Sequence, residues 1–517
     1  MARKNLSKKT ESGKSYKMDS FFRALVYILP GVLFFSYQPL IHFGSSESMN
    51  FEISLPLVWL VVFDVLVIAM GCRRRGFWQG IWKRWMWLLL PVWLSVSVLW
   101  SLNPLRGLLT MGILWLIYLA GYGFFSLKHL FDEVGFREKF WKVFFGSALV
   151  VCAWCWVQCV LDLVGVPREY SLMCAGCTYE MFGFPHPCGF AIEPQFMGNL
   201  LLAPAIMAGY MIMKTKAILS SDTLKAVWPS LWFSGSIALV FIISSTLFLT
   251  FSRGAIYAFV VGMMVMCVWM VVRAGKERGV IAKRVGVTWA SVILAFGLTL
   301  CVQGVMAAAS PTNDTFQSGV AKVLNHLTLG VVDMREPENS KITEVEVVEN
   351  PVENSVKIGE VKVNTDAKTN QANGVAGQEA AFDGYVAEST DTRLRLSGAA
   401  IEVWSGDLKT ALFGVGLGGA GQALYINGLS PAPKEIIQNQ YASLLLETGV
   451  VGAGLMVFSL VLVVRVLWRS PWRMMLLSLL VAYGITLLFF SGLPNALQIY
   501  LLPAVIYAIS LRKKLVS

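Results

Sequence analysis

Residues 230–272 read SLWFSGSIALVFIISSTLFLTFSRGAIYAFVVGMMVMCVWMVV, two apolar runs with a single charge, Arg253, between them. Each run is long enough to cross about 30 Å of hydrocarbon as an α-helix. Ser252 and Gly254 allow the tight reversal that joins the two runs. The composition of the chain agrees with a membrane protein, because its 517 residues are 56% hydrophobic and only 15% charged, whereas soluble domains are about 25% charged.

Apolar windows of this kind recur along nearly the whole chain. We predict an all-α polytopic membrane protein with about 12 transmembrane helices, helices 1–9 within residues 21–307 and helices 10–12 within 439–511. The large hydrophilic segment 308–438 lies between helices 9 and 10. The windows fall near 21–42, 51–71, 86–102, 106–126, 141–163, 190–213, 230–250, 255–272, 285–307, 439–464, 474–492 and 496–511.

The distribution of Lys and Arg predicts the orientation of these helices. Segments on one side of the membrane hold 30 of the 43 basic residues, and 10 of the other 13 lie in 308–438. Cytoplasmic loops of membrane proteins are enriched in Lys and Arg. We therefore expect the tails 1–20 and 512–517 to be cytoplasmic and 308–438 to be extracytoplasmic. The net charge of +11 is then explained by the basic cytoplasmic loops. We expect membrane lipids as partners and no nucleic acid.

The outer segment 308–438 is not uniform in composition. Residues 336–390 are rich in Glu, Asn, Lys and Thr and nearly free of aromatic residues, which predicts a flexible insert. Within it, TEVEVVENPVENSVKIGEVKV (343–363) alternates with period two around Asn350-Pro351. A small β-hairpin is the alternative there, and we favour disorder.

Residues 391–419 predict an amphipathic helix followed by a glycine turn. The helix would lie on the outer membrane face or cap the transmembrane bundle, and the turn is loose enough for a ligand to approach the backbone. The turn contains Gly414, Gly416 and Gly418. The apolar stripe of the helix consists of Leu394, Ile401, Val403, Trp404 and Leu408.

The outer loop 164–190 contains Cys174, Cys177, His186 and Cys188. A CxxC followed by HxC could bind zinc. Outside the cytoplasm a disulfide is the expected alternative, so we predict no metal site. The other histidines, His42, His129 and His326, are scattered and belong to no recognisable constellation.

Several motifs in a fixed order resemble the O-antigen ligase and O-antigen polymerase family of bacterial membrane glycosyltransferases. LWSLNPLRGLL (99–109) is similar to the family's short outer turn after the third span, and IEPQF (192–196) to the start of a middle span. TFSRGA (250–255) is similar to its Ser-Arg-Gly turn. TRLRLSGAAIEVWSGDLKTALFGVGLG (392–418) resembles its arginine, amphipathic helix and Gly-x-Gly-x-Gly turn, and NQYASLLLETGVVG (439–452) the following span.

The resemblance implies a reaction at the outer face of the plasma membrane. A glycan would pass from a polyprenyl-diphosphate-linked donor to an acceptor hydroxyl on a glycan, a lipid or a protein. The resemblance implies a reaction that uses no nucleotide sugar, no metal and no cofactor. Which glycan is used, and whether the enzyme is a polymerase or a ligase, stays open.

Outer arginines are the residues best suited to this chemistry. A diphosphate leaving group carries negative charge on its oxygens, and bidentate arginine contacts both orient and neutralise it. We predict catalytic roles for Arg253 and Arg395, the latter because its spacing to Gly414 matches the family arginine. Arg393 is a predicted substrate-binding residue, with a solvated helix charge as the alternative. Arg253 could instead snorkel to the outer headgroups.

Proton transfer is the step for which the sequence departs from the family. Ligases of the family carry His at the position of Gln438, and glutamine orients a hydroxyl but cannot accept its proton. We predict a catalytic role for Gln438 in orientation and for Glu193 as the substitute base. Glu193 could instead balance a helix dipole. The three turn glycines and Asn439 are predicted to contact the substrate.

Two other functions fit the same composition. A transporter or flippase of polysaccharide lipid would have a similar number of spans, although no internal repeat is visible. A catalytically degenerate scaffold of the family is compatible with Gln438. Two acids inside predicted spans have simpler interpretations: Asp64 as a buried hydrogen-bonding residue and Glu447 as the partner of an arginine.

Overall fold

The computed structural model describes residues 20–36, 41–43, 51–73, 77–127, 133–174, 177–178, 184–214, 223–309, 315–328, 376–433, 435–491 and 497–510. Within this part of the chain the protein is almost entirely helical. One short antiparallel hairpin joins the first two helices, with β1 (Ile41–Phe43) paired to β2 (Phe51–Ile53). Most of 308–375, including the possible hairpin at 343–363, lies outside the described residues.

The helices of the N-terminal part are α1 (Ser20–Phe34), α2 (Leu55–Arg73), α3 (Phe77–Trp82), α4 (Leu89–Ser97), α5 (Pro104–Ser126), α6 (Val134–Leu163), α7 (Arg168–Ser171), α8 (Pro194–Lys214), α9 (Thr223–Leu249), α10 (Arg253–Val272) and α11 (Arg278–Ala309). Those of the C-terminal part are α12 (Phe316–Leu327), α13 (Ala376–Ser405), α14 (Leu408–Phe413), α15 (Ala420–Ile426), α16 (Gln440–Trp468), α17 (Arg473–Thr486) and α18 (Leu497–Ser510). Single 3₁₀ turns flank α4 and precede α11.

The apolar helices lie where the hydrophobic windows predict them. Among the described residues, α2, α5, α6, α8, α10, the segment Gly275–Ala309 and α16 are long and apolar enough to cross a membrane. Five shorter apolar helices coincide with the remaining windows: Ser20–Phe34, Trp85–Trp100, Phe233–Leu249, Arg473–Thr486 and Leu497–Tyr507. The prediction of a membrane-embedded helical protein is therefore confirmed. The first window was too long at its C-terminal end, because Ile41–Phe43 forms a strand.

Helix α8 is the central helix of the bundle. It contacts α6, α9, α10, α11, α17 and α18, and 89% of its apolar window is buried inside the protein. Glycine at position 198 lets α8 approach α10 closely, because a Cβ there would lie 2.9 Å from the Cβ atoms of both Ser252 and Ala255. Small residues allow such close packing between membrane helices. The N-terminal part of α8 is thereby held against the turn that starts α10.

Helices α13 and α15 and the start of α16 form a second, smaller core. One face of α13 is buried, through Leu396, Ala399 and Ala400, and packs with α15 and the first turns of α16. The opposite face is exposed, with Leu394 at 68% and Ile401 at 50%. The predicted helix is therefore present, but its predicted apolar stripe was wrong: Leu394, Ile401 and Leu408 are exposed, and the face that packs on α15 and α16 is that of Leu396, Ala399 and Ala400.

Helix α13 also starts earlier than the sequence indicated. It begins at Ala376, so the prediction of a flexible insert was wrong for 376–390. Residues 376–390 read AGQEAAFDGYVAEST, and Ala, Gln and Glu are strong helix formers. Polarity suggested flexibility, but a helix already packed from Asp391 onward can be extended by such residues without a new nucleation step.

Helix α16 is broken two turns after its start, at Gly449, which has φ +64° and ψ −171°. Because of the break, the carbonyl groups just before Gly449 lose the backbone N–H groups that would bond to them in a regular helix. The glycine turn replaces two of them: Val415 N donates to Leu446 O at 2.9 Å and Gly416 N to Glu447 O at 2.9 Å. A buried carbonyl without a partner costs about 1–3 kcal/mol, so the break and the turn stabilise each other.

The glycines of the turn are required by the protein's own backbone. Gly414, Gly416 and Gly418 all have positive φ, from +74° to +89°. A Cβ on these residues would collide with the backbones of Glu447, Ser101 and Gly107, respectively. The turn is closely packed and not loose as predicted, which by itself explains these glycines. Their contact with a substrate stays a prediction.

Glu447 lies close to the other end of the same turn. Its carboxylate is within electrostatic reach of the backbone N–H groups of Gly418 and Ala420 and of the guanidinium of Arg106, and among the described residues it forms no ion pair with Arg106. That Glu447 is the partner of an arginine stays a prediction. Asp64 differs from its prediction: it is 1% exposed, and its carboxyl oxygens have no hydrogen-bond partner among the described residues.

We predict that Gly416→Ala lowers the stability of the protein by about 2–4 kcal/mol, because φ of +89° and the contact with Ser101 both disfavour a side chain. The measurement is the melting temperature of the detergent-purified protein. Gly398→Ala is the matched control: Gly398 is exposed on α13 with open space around it. The control should be neutral or stabilising by about 0.5–1 kcal/mol. Equal melting temperatures for the two variants would contradict the packing described above.

Candidate functional site

The candidate site surrounds the turn between α9 and α10. Phe251 in this turn has φ +49°, a conformation that bulky residues rarely adopt and that costs of order 1–3 kcal/mol. The turn is clamped from several sides. Its Thr250 and Ser252 lie against Gly198 of α8, and the Phe251 ring contacts Phe184 with ring centroids 4.9 Å apart.

Arg253 is the first residue of α10 and is only 8% exposed. Its position is electrostatically unusual, since the N-terminus of a helix already carries partial positive charge. A buried cation placed there favours binding of an anion, because the guanidinium and the helix N-terminus attract the same negative charge. The predicted importance of Arg253 thus gains a structural argument, and the prediction of a headgroup-snorkelling side chain is not supported by its burial.

His326 of α12 lies against the same turn. Its Nε2 is 3.2 Å from the carbonyl oxygen of Phe251, and a carbonyl oxygen only accepts, so Nε2 carries the proton and Nδ1 the lone pair in the neutral ring. Burial, and then the charges of Arg253 and Arg393, lower the pKa of His326 to about 4, and the hydrogen bond to Phe251 opposes them in part. The hydroxyl of Tyr257 donates to the Leu327 carbonyl and holds α12 on α10.

His186 completes the pair of imidazoles. Its ring centroid lies 6.0 Å from that of His326 and 5.1 Å from that of Phe251. Burial, and then the neighbouring His326, lower the pKa of His186 well below its ordinary value. Both rings are therefore neutral at physiological pH.

The segment between α7 and α8, which carries His186, also contains a disulfide between Cys174 and Cys177. The backbone N–H of His186 donates to the Cys177 carbonyl at 2.9 Å. Cys188 is a buried thiol whose pKa is raised to about 11 by burial. The expected disulfide is thus present, and among the described residues no group of three His, Cys, Asp or Glu side chains could hold a metal.

Glu193 lies at the edge of this cluster. Burial raises the pKa of its carboxyl group above the ordinary value, and the positive charge of Arg393 lowers it. The side chain is nevertheless exposed by its accessible surface, so water reaches the carboxylate and limits the desolvation. No direct hydrogen bond joins Glu193 to Arg393 among the described residues, and their attraction acts at longer range.

The structure places Arg393 and Arg395 the other way round from what their spacing to Gly414 predicts. Residues two positions apart in a helix differ by about 200° in direction, so the side chains of Arg393 and Arg395 leave α13 on opposite sides. Arg393 is partly buried and acts on both Glu193 and His326. Arg395 is exposed, on the face that carries Leu394. The structure therefore brings Arg393 into the cluster and leaves Arg395 outside it.

Gln438 and Asn439 are not joined to the cluster by any hydrogen bond between described residues. Asn439 caps α16, with its Oδ1 accepting the N–H groups of Tyr441 and Ala442 at 3.1 and 3.2 Å. The Oε1 atom of Gln438 is buried and has no hydrogen-bond partner among the described residues. Their predicted contacts with the substrate stay predictions, and the Oδ1 atom of Asn439 already has a structural role.

The cluster as a whole can attract an anion and transfer a proton. It combines two guanidinium groups, Arg253 and Arg393, with two neutral imidazoles and one water-accessible carboxylate. A further cation, Lys322, is 3% exposed and lies one turn before His326 on the buried side of α12. Guanidinium and ammonium groups of this kind bind the oxygens of a phosphorylated ligand.

The sequence did not reveal the two histidines as part of the site. They are far from Arg253 and Arg393 along the chain, and no motif surrounds them. The amphipathic pattern of residues 316–327 could have indicated the buried face of α12, on which Lys322 and His326 are four residues apart.

Comparison of the chain with protein-family models and with curated proteins finds no match. The resemblance to the O-antigen ligase and polymerase family therefore rests on the motifs and their order alone.

We predict that low pH destabilises the protein through His326. Its pKa is about 4 in the folded protein and 6.5 ordinarily, so the unfolded state binds more protons between these values and stability falls as the pH is lowered through that window. Full protonation would remove about 3 kcal/mol. Melting temperatures in detergent from pH 7.5 to 4.5 should fall less steeply for His326→Gln than for the wild type. Parallel curves would show that His326 titrates normally.

Proposed function

We propose that the chain is a membrane glycosyltransferase of the O-antigen ligase and polymerase type. It would transfer a glycan from a polyprenyl diphosphate donor to an acceptor hydroxyl at the outer face of the plasma membrane. The observation that carries the proposal is the convergence of Arg253 and Arg393 on one buried imidazole, His326.

The proposed topology has twelve spans with both termini in the cytoplasm. It is supported by the seven long and five shorter apolar helices and by the concentration of Lys and Arg on one side. Segment 308–438, which carries Arg393, would then be extracytoplasmic together with Arg253 and Glu193.

The two arginines would act on the leaving group. In the transfer, the acceptor oxygen forms a bond to the anomeric carbon of the donor sugar while the bond from that carbon to the phosphate oxygen breaks. The diphosphate leaves with the electron pair and gains negative charge. Arg253 and Arg393 would stabilise this charge more in the transition state than in the bound donor, which lowers the barrier.

Glu193 would accept the proton of the acceptor hydroxyl. It is the water-accessible carboxylate of the cluster, and its raised pKa brings it closer to the operating pH, which favours a general base. The imidazoles are more deeply buried, and His326 is held by Phe251, so we assign them to positioning the turn. Because Gln438 stands where ligases of the family have His, we favour a polymerase over a ligase.

We predict that Arg253→Ala and Arg393→Ala each reduce glycan transfer by roughly 10²–10³-fold or more, since each removes one donor to the developing charge. The measurement is the surface glycan length in a deletion strain complemented with each variant at equal membrane abundance. A polymerase defect gives short single-repeat glycans, and a ligase defect leaves polymer on the carrier.

Arg395→Ala is the matched control, because Arg395 lies on the exposed face of the same helix. Its transfer should remain near that of the wild type. Normal transfer in both Arg253→Ala and Arg393→Ala would refute the proposed role of the cluster. If Arg395→Ala is the inactive variant and Arg393→Ala the active one, the assignment by spacing to Gly414 was right.

We predict that Glu193→Gln lowers transfer by roughly 10²–10⁴-fold, as expected for loss of a general base, and that Glu193→Asp keeps part of it. In the wild type, activity should fall as the pH drops through the raised pKa of Glu193, because a protonated carboxyl group accepts no proton. Glu169→Gln is the control, since Glu169 is an exposed acid paired to Arg168 at 3.5 Å. An unchanged rate in Glu193→Gln would exclude Glu193 as the base.

A further inference from the structure

A second cavity lies apart from the arginine cluster, between the C-terminal end of α13, helices α14 and α15, and Trp100. We call it the α13–α15 groove. Its volume is about 670 Å³, within the range of roughly 300–1,000 Å³ that small-ligand sites occupy. Its walls include Trp100, Glu402, Asp407, Lys409 and Asn427.

The polar side chains of the groove have capacity for further hydrogen bonds. The Glu402 carboxylate makes no hydrogen bond or ion pair with another described residue, and the Lys409 ammonium makes none either. Asn427 uses its Nδ2 to donate to Ala423 O at 2.8 Å, which leaves its Oδ1 as an acceptor. Asp407 is partly committed, because one oxygen accepts the N–H of Thr410 at 2.9 Å and caps α14.

The apolar wall of the groove is formed in part by an aromatic ring. Trp100 lines the cavity together with Leu102, Val403 and Leu429. Its position is fixed by Trp93, whose ring centroid is 5.8 Å away in an edge-to-face arrangement. A rigid aromatic surface beside carboxylate, ammonium and amide groups suits a ligand with both C–H patches and hydroxyl groups.

The charge of the groove argues against a phosphorylated ligand. Two carboxylates, Glu402 and Asp407, face one ammonium group, Lys409, so the walls are net negative. This is the opposite of the arginine cluster, where the cations exceed the anions. A polyanion would be repelled from the groove and attracted to the cluster.

We propose that the α13–α15 groove binds an uncharged oligosaccharide, the glycan part of the acceptor or of the growing product. This inference rests on the proposed function, and it adds a glycan subsite to it. Arg393 and Glu402 are nine residues apart on α13, roughly 13 Å along the helix axis. They also differ by about 180° in direction around the helix, so Glu402 and the groove lie on the side of α13 that carries Arg395. A saccharide in the groove would therefore be held across α13 from Arg393 and would hold a part of the glycan that does not react.

The test uses the full chain purified in detergent. The probe is an oligosaccharide released by mild acid from the host strain's own surface polysaccharide and labelled with a fluorophore at its reducing end. Fluorescence anisotropy should show binding to the wild type. Glu402→Gln and Trp100→Ala should each weaken it about tenfold, since each removes one strong contact.

Asp391→Asn is the matched control, because Asp391 is an exposed carboxylate on the same helix outside the groove. It should bind like the wild type. Glu402 is exposed, so Glu402→Gln should fold even if Trp100→Ala does not. Absence of binding to the wild type, or equal affinity in the wild type and Glu402→Gln, would overturn the groove proposal.

The arginine variants separate this proposal from the proposed function. Arg253→Ala should bind the labelled oligosaccharide with wild-type affinity although it has lost transfer. If transfer persists in Arg253→Ala and Arg393→Ala while Glu402→Gln still loses binding, the groove is a glycan site of a protein with another function. If the arginine variants lose transfer and the groove variants bind normally, the transferase stands without this subsite.

Discussion

The break in α16 at Gly449 is the constraint on which the outer half of the structure depends. A membrane-length helix that loses its own hydrogen bonds must find other donors, because unsatisfied carbonyls are costly away from water. Here the turn after α14 supplies them, through the N–H groups of Val415 and Gly416. The carboxylate of Glu447 lies within electrostatic reach of the N–H groups at the far end of the same turn. The turn is therefore rich in glycine because of its backbone contacts and not because of side-chain chemistry.

This docking determines where α13 points. Helices α13 and α14 both pack against α16, so the turn fixes the end of α13 while Leu396 and Ala400 fix its face. Arg393 shares that face and is directed toward Glu193 and His326. On the other side, the central helix α8 holds the turn of Arg253 through the close contact at Gly198. Two separately anchored elements therefore bring the arginines together, and neither anchor involves the arginines themselves.

The sequence predicted the parts of the structure that follow from local pattern. Apolar windows located the helices, because hydrophobic length is read directly from the residues. The scarcity of outer arginines singled out Arg253. Spacing to Gly414 pointed to Arg395, which is exposed, and not to the partly buried Arg393, because distance along a chain does not tell which face of a helix a residue occupies. His326 was missed for a different reason: its contact with Phe251 joins residues 75 positions apart, and only tertiary packing creates it.

Under the proposed function, the separation of charge between the arginine cluster and the α13–α15 groove would give the two places different tasks. A lipid-linked glycan has a strongly anionic end and an uncharged end, and a single cationic cleft would hold only the first firmly. In this protein the cations Arg253 and Arg393 are collected at one place, whereas Glu402 and Asp407 face the other cavity. Because like charges repel and opposite charges attract over a Debye length of about 8 Å in physiological salt, the diphosphate would be excluded from the groove before it made contact. The orientation of a bound glycan would then follow from electrostatics, even if shape alone did not select it.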